Sequence, residues 1–91
     1  MNEDRQKALQ ILMTAKGQIE KTIKMIEEDR YCIDISNQIM AGNGLLKKAN
    51  MHILRQHLHH CVADSLAGDN EEDKEQKTEE VIKVLEKLIG K

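Results

Sequence analysis

Three side chains of this 91-residue chain are suited to binding a metal ion, the thiols of Cys32 and Cys61 and the imidazole of His57. His57 and Cys61 are four residues apart, so on a helix they lie on the same face, one turn from each other, and can share one ion. Two ligands make only half of a site, and Cys32 is the obvious source of a third soft ligand.

The distance along the chain decides how such a site is closed. If residues 34–62 form one helix, a rise of about 1.5 Å per residue puts Cys32 roughly 40 Å from Cys61. One chain then cannot close the site. A second copy lying antiparallel brings its Cys32 beside the first copy's His57 and Cys61, and two-fold symmetry makes two identical sites. The ligand spacing therefore predicts a dimer.

Length and composition predict an all-α fold in one small domain, residues 1–91. A chain of this size gains much from a partner because it buries a modest fraction of its surface alone. Tyr31 is the only aromatic residue and there is no proline. A core of Leu, Ile, Val, Met and Ala beside abundant Glu and Lys favours helices throughout.

The hydropathy pattern, the cysteines and the motifs also indicate where the protein is found and which class of protein it belongs to. No apolar run approaches membrane-spanning length, and the amino terminus lacks a signal pattern, so we expect a cytoplasmic protein without a membrane partner. In a reducing compartment, two cysteines favour ligands or reactive thiols over a structural disulfide. No nucleotide-binding loop, paired acid and base, or CxxC motif indicates an enzyme.

We expect three helices, over residues 3–29, 34–66 and 72–89. Asn2 is the predicted N-cap of the first helix, Asp34 caps the second, and Gly68 ends it. The first helix carries an apolar packing stripe at helical spacing. This stripe consists of Leu9, Leu12, Met13, Ile19, Ile23 and Ile26.

The segment from Met40 to Gly44 is ambiguous by its residues alone. Each of its two glycines costs about 1 kcal/mol relative to alanine inside a helix, so local propensity favours a break. The same glycines would let a partner helix cross closely. A break would make a hairpin that returns Cys32 towards Cys61 within one chain, and the reason for a dimer would disappear.

An ordered set of motifs resembles the copper-sensing operon repressor family, which is CsoR/RcnR-like and has nickel, formaldehyde and persulfide sensors as relatives. The motifs are Gly17-Gln18, the run Met25–Cys32, Asp34, Gln38-Ile39 and His57-x-x-x-Cys61-Val62, and they span most of residues 8–67. The resemblance implies a three-helix subunit with a long, unbroken central helix. It also implies an antiparallel homodimer, possibly a homotetramer made as a dimer of dimers, without a classical DNA-reading module.

The resemblance further implies that Cys32 of one subunit and His57 and Cys61 of the other bind Cu(I). Two thiolates and one imidazole suit this soft ion, which three ligands satisfy, whereas zinc usually takes four. Formaldehyde sensors lack the second cysteine and persulfide sensors lack the histidine. Nickel and cobalt sensors use additional amino-terminal histidine, and no histidine precedes His52 here. Copper is therefore the metal that the resemblance favours.

The family resemblance also implies which residues lie around the ligands. Tyr31 resembles the family's tyrosine beside the site, and Glu80, with Glu79 as the second choice, resembles its glutamate on the third helix. We expect the remaining histidines to lie outside the ligand set. These are His52, His59 and His60.

The chain departs from the family where DNA binding is expected. Family members carry several cations around the Gly-Gln pair, and here those positions hold Ile11, Met13, Thr14 and Glu20. Phosphate contacts supply most of the affinity of such complexes, and the net charge of −2 argues against strong nonspecific binding. The remaining candidates for contacts with operator DNA are Arg5, Lys7, Lys16, Lys47 and Lys48.

Three functions follow. The first is a Cu(I)-responsive transcriptional repressor that loses DNA affinity on binding metal, which the family resemblance favours. The second is a copper-binding protein for buffering or trafficking that has lost operator binding, which the missing cations favour. The third is a thiol or persulfide sensor that uses Cys32 and Cys61.

Overall fold

The computed structural model describes residues 2–62, 68 and 70–90, without the side chains of residues 60–62 and 89. Three α-helices make up most of this part of the chain, and it contains no strand. They are α1 (Glu3–Glu27), α2 (Cys32–Gln56) and α3 (Glu71–Ile89), with a π-helical segment, His57–Val62, directly after α2. The predicted all-α class and the count of three helices are confirmed.

The chain forms two compact units, residues 1–53 and 54–91. The first unit holds α1 and most of α2, and the second holds the π segment and α3. One domain over residues 1–91 stays a prediction. None of the described helices is long and apolar enough to cross a membrane.

Side-chain caps begin two of the helices. The Asn2 side chain accepts a hydrogen bond from the Arg5 amide at 2.8 Å, so the predicted N-cap is confirmed. Asn70 accepts in the same way from the Asp73 amide at 3.1 Å. Because Asn70 takes this role, α3 begins at Glu71, close to the predicted residue 72.

The turn after α1 ends that helix at Glu27, two residues before the prediction. The amide of Arg30 donates to the carbonyl of Met25 at 3.0 Å, and the amide of Asp29 donates to that of Ile26 at 3.1 Å. These two bonds form a Schellman motif, which requires a left-handed residue at Asp29. Its φ of 53° is the only positive value among the described non-glycine residues.

The N-cap prediction for α2 is wrong. The Ile35 amide donates to the carbonyl of Tyr31 at 3.1 Å, so the helix begins at Cys32 and Asp34 lies within its first turn. The carboxylate of Asp34 still lies where the helix dipole favours a negative charge.

The helix α2 continues without a break through Gly42 and Gly44, so the local prediction of a break is wrong and the continuous helix implied by the family resemblance is confirmed. Gly42 is buried in the contact between α1 and α2. Packing along the helix offsets the cost of two glycines, which local propensity alone does not include.

Antiparallel contact between α1 and α2 follows one line of residues on each helix, called here the seam. Its polar pairs are Asp4 with His52, at 3.0 Å, and Gln18 with Gln38, whose side chains are hydrogen bonded. Spacings of three and four residues give each line the period of a coiled coil. The seam consists of Asp4, Ala8, Ile11, Ala15, Gln18, Thr22 and Met25 on α1, and Ile35, Gln38, Gly42, Leu45, Ala49 and His52 on α2, all buried or half-buried.

The predicted packing stripe of α1 does not form the core of the chain. Among the described residues, the buried apolar ones are Ala8, Ala15, Met25 and Ala49, whereas the stripe residues are 43–60% exposed. Larger apolar residues instead follow one side of the seam on both helices, and they are called here the apolar face. It consists of Leu9, Leu12, Ile19, Ile23 and Ile26 on α1, and Ile39, Leu46 and Ile53 on α2.

Both helices contribute this face on the same side of the seam. An open cleft of about 230 Å³ between them is lined by Ile19 and Ile23 from α1 and by Ile39 and Leu46 from α2. Many large apolar side chains thus remain in contact with water on one side of the seam, and contiguous exposed apolar patches often mark interaction sites.

Candidate metal centre

His57 is the first residue of the π segment, and Cys61 lies in the same segment. The sequence predicted ordinary helix as far as residue 66, but the α-helix ends at Gln56 and residues 63–67 lie outside the described part of the chain. A π-helix closes a wider turn than an α-helix, and such segments are frequent at functional sites. The local backbone is therefore unusual where two predicted ligands lie.

The imidazole of His57 is mostly buried, with 23% of the side chain exposed. Its Nε2 atom is buried and has no hydrogen-bond partner among the described residues. Leaving a buried polar nitrogen unpaired costs free energy, so this atom requires an explanation. A nearby carboxylate that attracts the proton of this nitrogen supplies one.

Glu80 of α3 provides a charged group close to this nitrogen. Its Oε2 atom lies 3.6 Å from His57 Nε2, beyond hydrogen-bond length but close enough for electrostatic attraction. A carboxylate beside one ring nitrogen favours the tautomer that carries its proton there, and the other nitrogen, Nδ1, then keeps a lone pair for a metal. The arrangement thus fits an imidazole that is oriented for binding a metal ion.

Packing of α3 against the π segment positions this carboxylate. Glu80 and its neighbour Val81 are half-buried, whereas Glu79 is exposed. Of the two glutamates that the sequence allowed, Glu80 is the one beside His57.

Cys32 is the first residue of α2, and its thiol is free and exposed. The adjacent Tyr31 is 67% exposed. The full length of α2 separates Cys32 from His57 along the chain. The side chain of Cys61 lies outside the described residues, and those described contain no group of three or more His, Cys, Asp or Glu side chains that could hold a metal.

His52 has a structural partner that sequence reasoning missed. Its Nδ1 atom lies 3.0 Å from Oδ1 of Asp4, and about four-fifths of each side chain is buried. Asp4 and His52 both occupy seam positions, so the period of three and four residues was the signal that would have found the pair. His59 is exposed, and the side chain of His60 lies outside the described residues.

The predicted DNA-contacting cations all lie on the surface. They are Arg5, Lys7, Lys16, Lys47 and Lys48, and Lys7 forms an ion pair with Glu3 at 2.9 Å. Of the residues that replace the family's cations, Met13, Thr14 and Glu20 are exposed, but Ile11 is half-buried in the seam.

Comparisons of this chain with known proteins agree on one family. A family model described as a metal-sensitive transcriptional repressor matches residues 4–87. The copper-sensing transcriptional repressor CsoR of Bacillus subtilis (strain 168) is 44% identical over 62 residues, which are 67% of this chain and 61% of that protein. The copper-sensing transcriptional repressor RicR of Mycobacterium tuberculosis (strain ATCC 25618 / H37Rv) is 41% identical over 56 residues, 62% of this chain and 58% of that protein. These alignments span less than two thirds of either relative.

Similarity to a solved structure extends further along the chain. The crystal structure of the copper-sensing repressor CsoR with Cu(I) from Geobacillus thermodenitrificans NG80-2 superimposes with a TM-score of 0.85 at 32% identity. The match covers 98% of this chain and 90% of that one.

Proposed function

This chain belongs to the family of metal-sensitive transcriptional repressors, and we propose that it is a Cu(I)-responsive repressor whose affinity for DNA falls when the metal binds. One observation carries the proposal, the buried imidazole of His57 with an unpaired Nε2 atom turned towards Glu80. The names of the relatives, which are copper-sensing repressors, agree with this metal.

The proposed ligands are the imidazole of His57 and the thiolates of Cys61 and Cys32. Two thiolates and one imidazole favour Cu(I) because sulfur ligands are soft and this ion is satisfied by few of them. Zinc would usually require a fourth ligand.

A second copy of the chain supplies Cys32 in this proposal. The unbroken α2 has 25 residues and therefore a length of about 37 Å, with Cys32 at its start and His57 just after its end. The exposed apolar face supports the same partner, since a second copy would remove it from water. An antiparallel homodimer with two sites follows, and two dimers would form a homotetramer.

The residues around the ligands connect the site to the rest of the subunit. Glu80 orients the imidazole and joins the π segment to α3, so a change at His57 alters how α3 packs. Tyr31 lies next to Cys32 and contributes to the same site in the dimer. In this mechanism the change in α3 and α2 packing lowers DNA affinity.

The proposed DNA contacts come from exposed cations on α1 and α2. These are Arg5, Lys7, Lys16, Lys47 and Lys48. Each cation that neutralises a phosphate releases a counterion and so adds affinity at low salt.

The decisive experiment is an anisotropy titration of the protein against its own upstream DNA, with and without Cu(I). Copper should release the DNA, and direct titration should give one Cu(I) per subunit. Cys32→Ala, His57→Ala and Cys61→Ala should each weaken Cu(I) binding, the thiolates more than the imidazole. His59→Ala is the matched control, because His59 is exposed two residues from His57. Unchanged affinity in all three ligand variants would reject the site.

A second candidate function is copper binding for buffering or trafficking without operator binding. The observation that favours it is the exposure of Met13, Thr14 and Glu20 at positions where the family carries cations. The same titration separates the two functions, because this candidate binds one Cu(I) per subunit and shows no specific DNA binding in either state.

A further inference from the structure

The outward side of α2 carries a regular series of residues, called here the α2 stripe. Cys32, Ile39, Leu46 and Ile53 follow one another at intervals of seven residues, which brings them to nearly the same line on the helix. The three aliphatic members are 50%, 43% and 40% exposed. Each follows a buried or half-buried seam residue, so the stripe borders the seam on the apolar face.

Two asparagines interrupt this apolar series. Asn43 lies three residues before Leu46, and Asn50 lies four residues after it. Asn43 lines the cleft together with Ile39 and Leu46, so it lies on the same face as the stripe. By helical spacing, Asn50 lies next to Leu46 and Ile53 on that face.

The α2 stripe is close to symmetric about Leu46, with Ile39 and Ile53 seven residues on either side. Two antiparallel copies related by a two-fold axis at Leu46 therefore place Ile39 of each copy against Ile53 of the other. In the same register, Asn50 of each copy lies within one residue, about 1.5 Å along the helix axis, of the position opposite Asn43 of the other, so the two side chains can make contact. Both asparagines then have a polar partner, and all three aliphatic residues have an apolar one.

In other registers, fewer of these asparagines and aliphatic residues have a matching side chain opposite them. A shift by one heptad brings one asparagine opposite its own equivalent in the second copy, leaves the other without an asparagine opposite it, and leaves an outer isoleucine without an aliphatic side chain opposite it. A polar amide that is buried without a partner costs free energy, and a single asparagine in a coiled-coil seam is known to fix register and oligomeric state. The asparagines thus disfavour the alternatives that a purely apolar stripe would tolerate.

We propose that Asn43 and Asn50 are positioning residues, which fix the register of a second copy of this chain along α2. In this register Cys32, seven residues before Ile39, lies opposite the segment His57–Val62 of the second copy, which holds the other two proposed ligands. The inference rests on the proposed function, because it deepens the dimeric copper site.

Single-cysteine crosslinking tests the register without metal. In the full chain with Cys32→Ser and Cys61→Ser, we would introduce Asn43→Cys, Asn50→Cys or Leu46→Cys and oxidise the variants alone and in pairs. A disulfide requires Cβ atoms about 3.5–4.5 Å apart, so it reports direct opposition. We expect crosslinked dimers from Leu46→Cys alone and from the Asn43→Cys and Asn50→Cys mixture. Asn43→Cys alone and Asn50→Cys alone should give no crosslinked dimer.

Efficient self-crosslinking of Asn43→Cys or Asn50→Cys alone would overturn the register. So would a dimeric mass in light scattering without crosslinks from any variant, which would mean that a different face is used. Neither result would contradict the proposed copper function, which the Cu(I) titration of the unmodified protein tests separately.

A second pair of variants measures the consequence for the metal site. With both native cysteines present, Asn43→Leu with Asn50→Leu should keep or strengthen association and lose the full stoichiometry of one Cu(I) per subunit. Asn37→Leu is the control, because Asn37 is an exposed asparagine of α2 outside the stripe. Unchanged stoichiometry in the double variant would contradict the inference, whereas absence of Cu(I) binding by the unmodified protein would contradict the proposed function.

Discussion

The Nε2 atom of His57, which is buried without a hydrogen-bond partner among the described residues, lies 3.6 Å from Oε2 of Glu80 on α3. This relationship joins two separate helical segments at the proposed copper site. The pair of residues belongs to one compact unit, residues 54–91.

Glu80→Gln should weaken Cu(I) binding by about 10–100-fold, because residues that orient a metal-ligating histidine typically contribute that much affinity. Competition with a chromogenic Cu(I) chelator measures the change. Glu79→Gln is a matched control that removes the same charge from the adjacent, exposed position. Equal affinities of the two variants would mean that Glu80 does not act through His57.

The pair of Asp4 and His52 should stabilise the seam. Hydrogen bonds to charged groups contribute about 1.5–3 kcal/mol, so Asp4→Ala or His52→Ala should lower the free energy of unfolding by an amount of that order. A double-mutant cycle at fixed protein concentration isolates the interaction, since Asp4 has a further contact. His59→Ala should leave stability unchanged. Additive effects of the two substitutions would show that the residues do not interact.

Asp29→Gly should stabilise the protein by up to about 1 kcal/mol, because glycine adopts a positive φ without the steric cost of a Cβ atom. Asp29 is held at φ 53° by the Schellman turn that ends α1. Chemical denaturation measures the gain. Glu28→Gly is the control, since Glu28 has an ordinary negative φ of −91° and should gain nothing from the substitution. A loss of stability in Asp29→Gly would mean that the aspartate side chain contributes more than its strain costs.

DNA binding should be weak and should depend only shallowly on salt, because exposed Thr14 and Glu20 stand where the family carries cations. Thr14→Arg with Glu20→Arg should steepen the log–log salt dependence of the affinity by about 0.9 for each phosphate gained. Thr78→Arg with Glu79→Arg makes the same change of charge on exposed positions of α3 and serves as the control. Tight, steeply salt-dependent and copper-releasable binding by the unmodified protein would instead mean that its existing cations suffice.

Local features of the fold were predictable from the sequence because they depend on residues within a few positions of each other. Asn2 caps α1 as expected, and the helical class follows from composition. The turn after α1 was predicted only approximately, since a left-handed aspartate at Asp29 is less common than glycine at such a position.

The choice of Glu80 over Glu79 depended on the rotation of α3, which the sequence alone could not give. One residue turns a helix by about 100°, so two adjacent glutamates point in very different directions. Packing of α3 against the π segment decides which carboxylate lies beside His57. Its role in metal binding remains a prediction.

By itself, the sequence determined the types and spacing of the proposed ligands and the helical character of the segments that carry them, because residue identity and local propensity fix both. Local propensity did not predict that α2 passes through Gly42 and Gly44, which the family resemblance implied and the structure shows. Only the tertiary structure decided that small seam residues such as Ala15 and Ala49, rather than the larger Leu9 and Ile23, are buried within the chain. The physical reason is that burial depends on the partner helix. Burial of the other seam residues offsets the cost of the glycines, and the larger apolar residues are left facing outward.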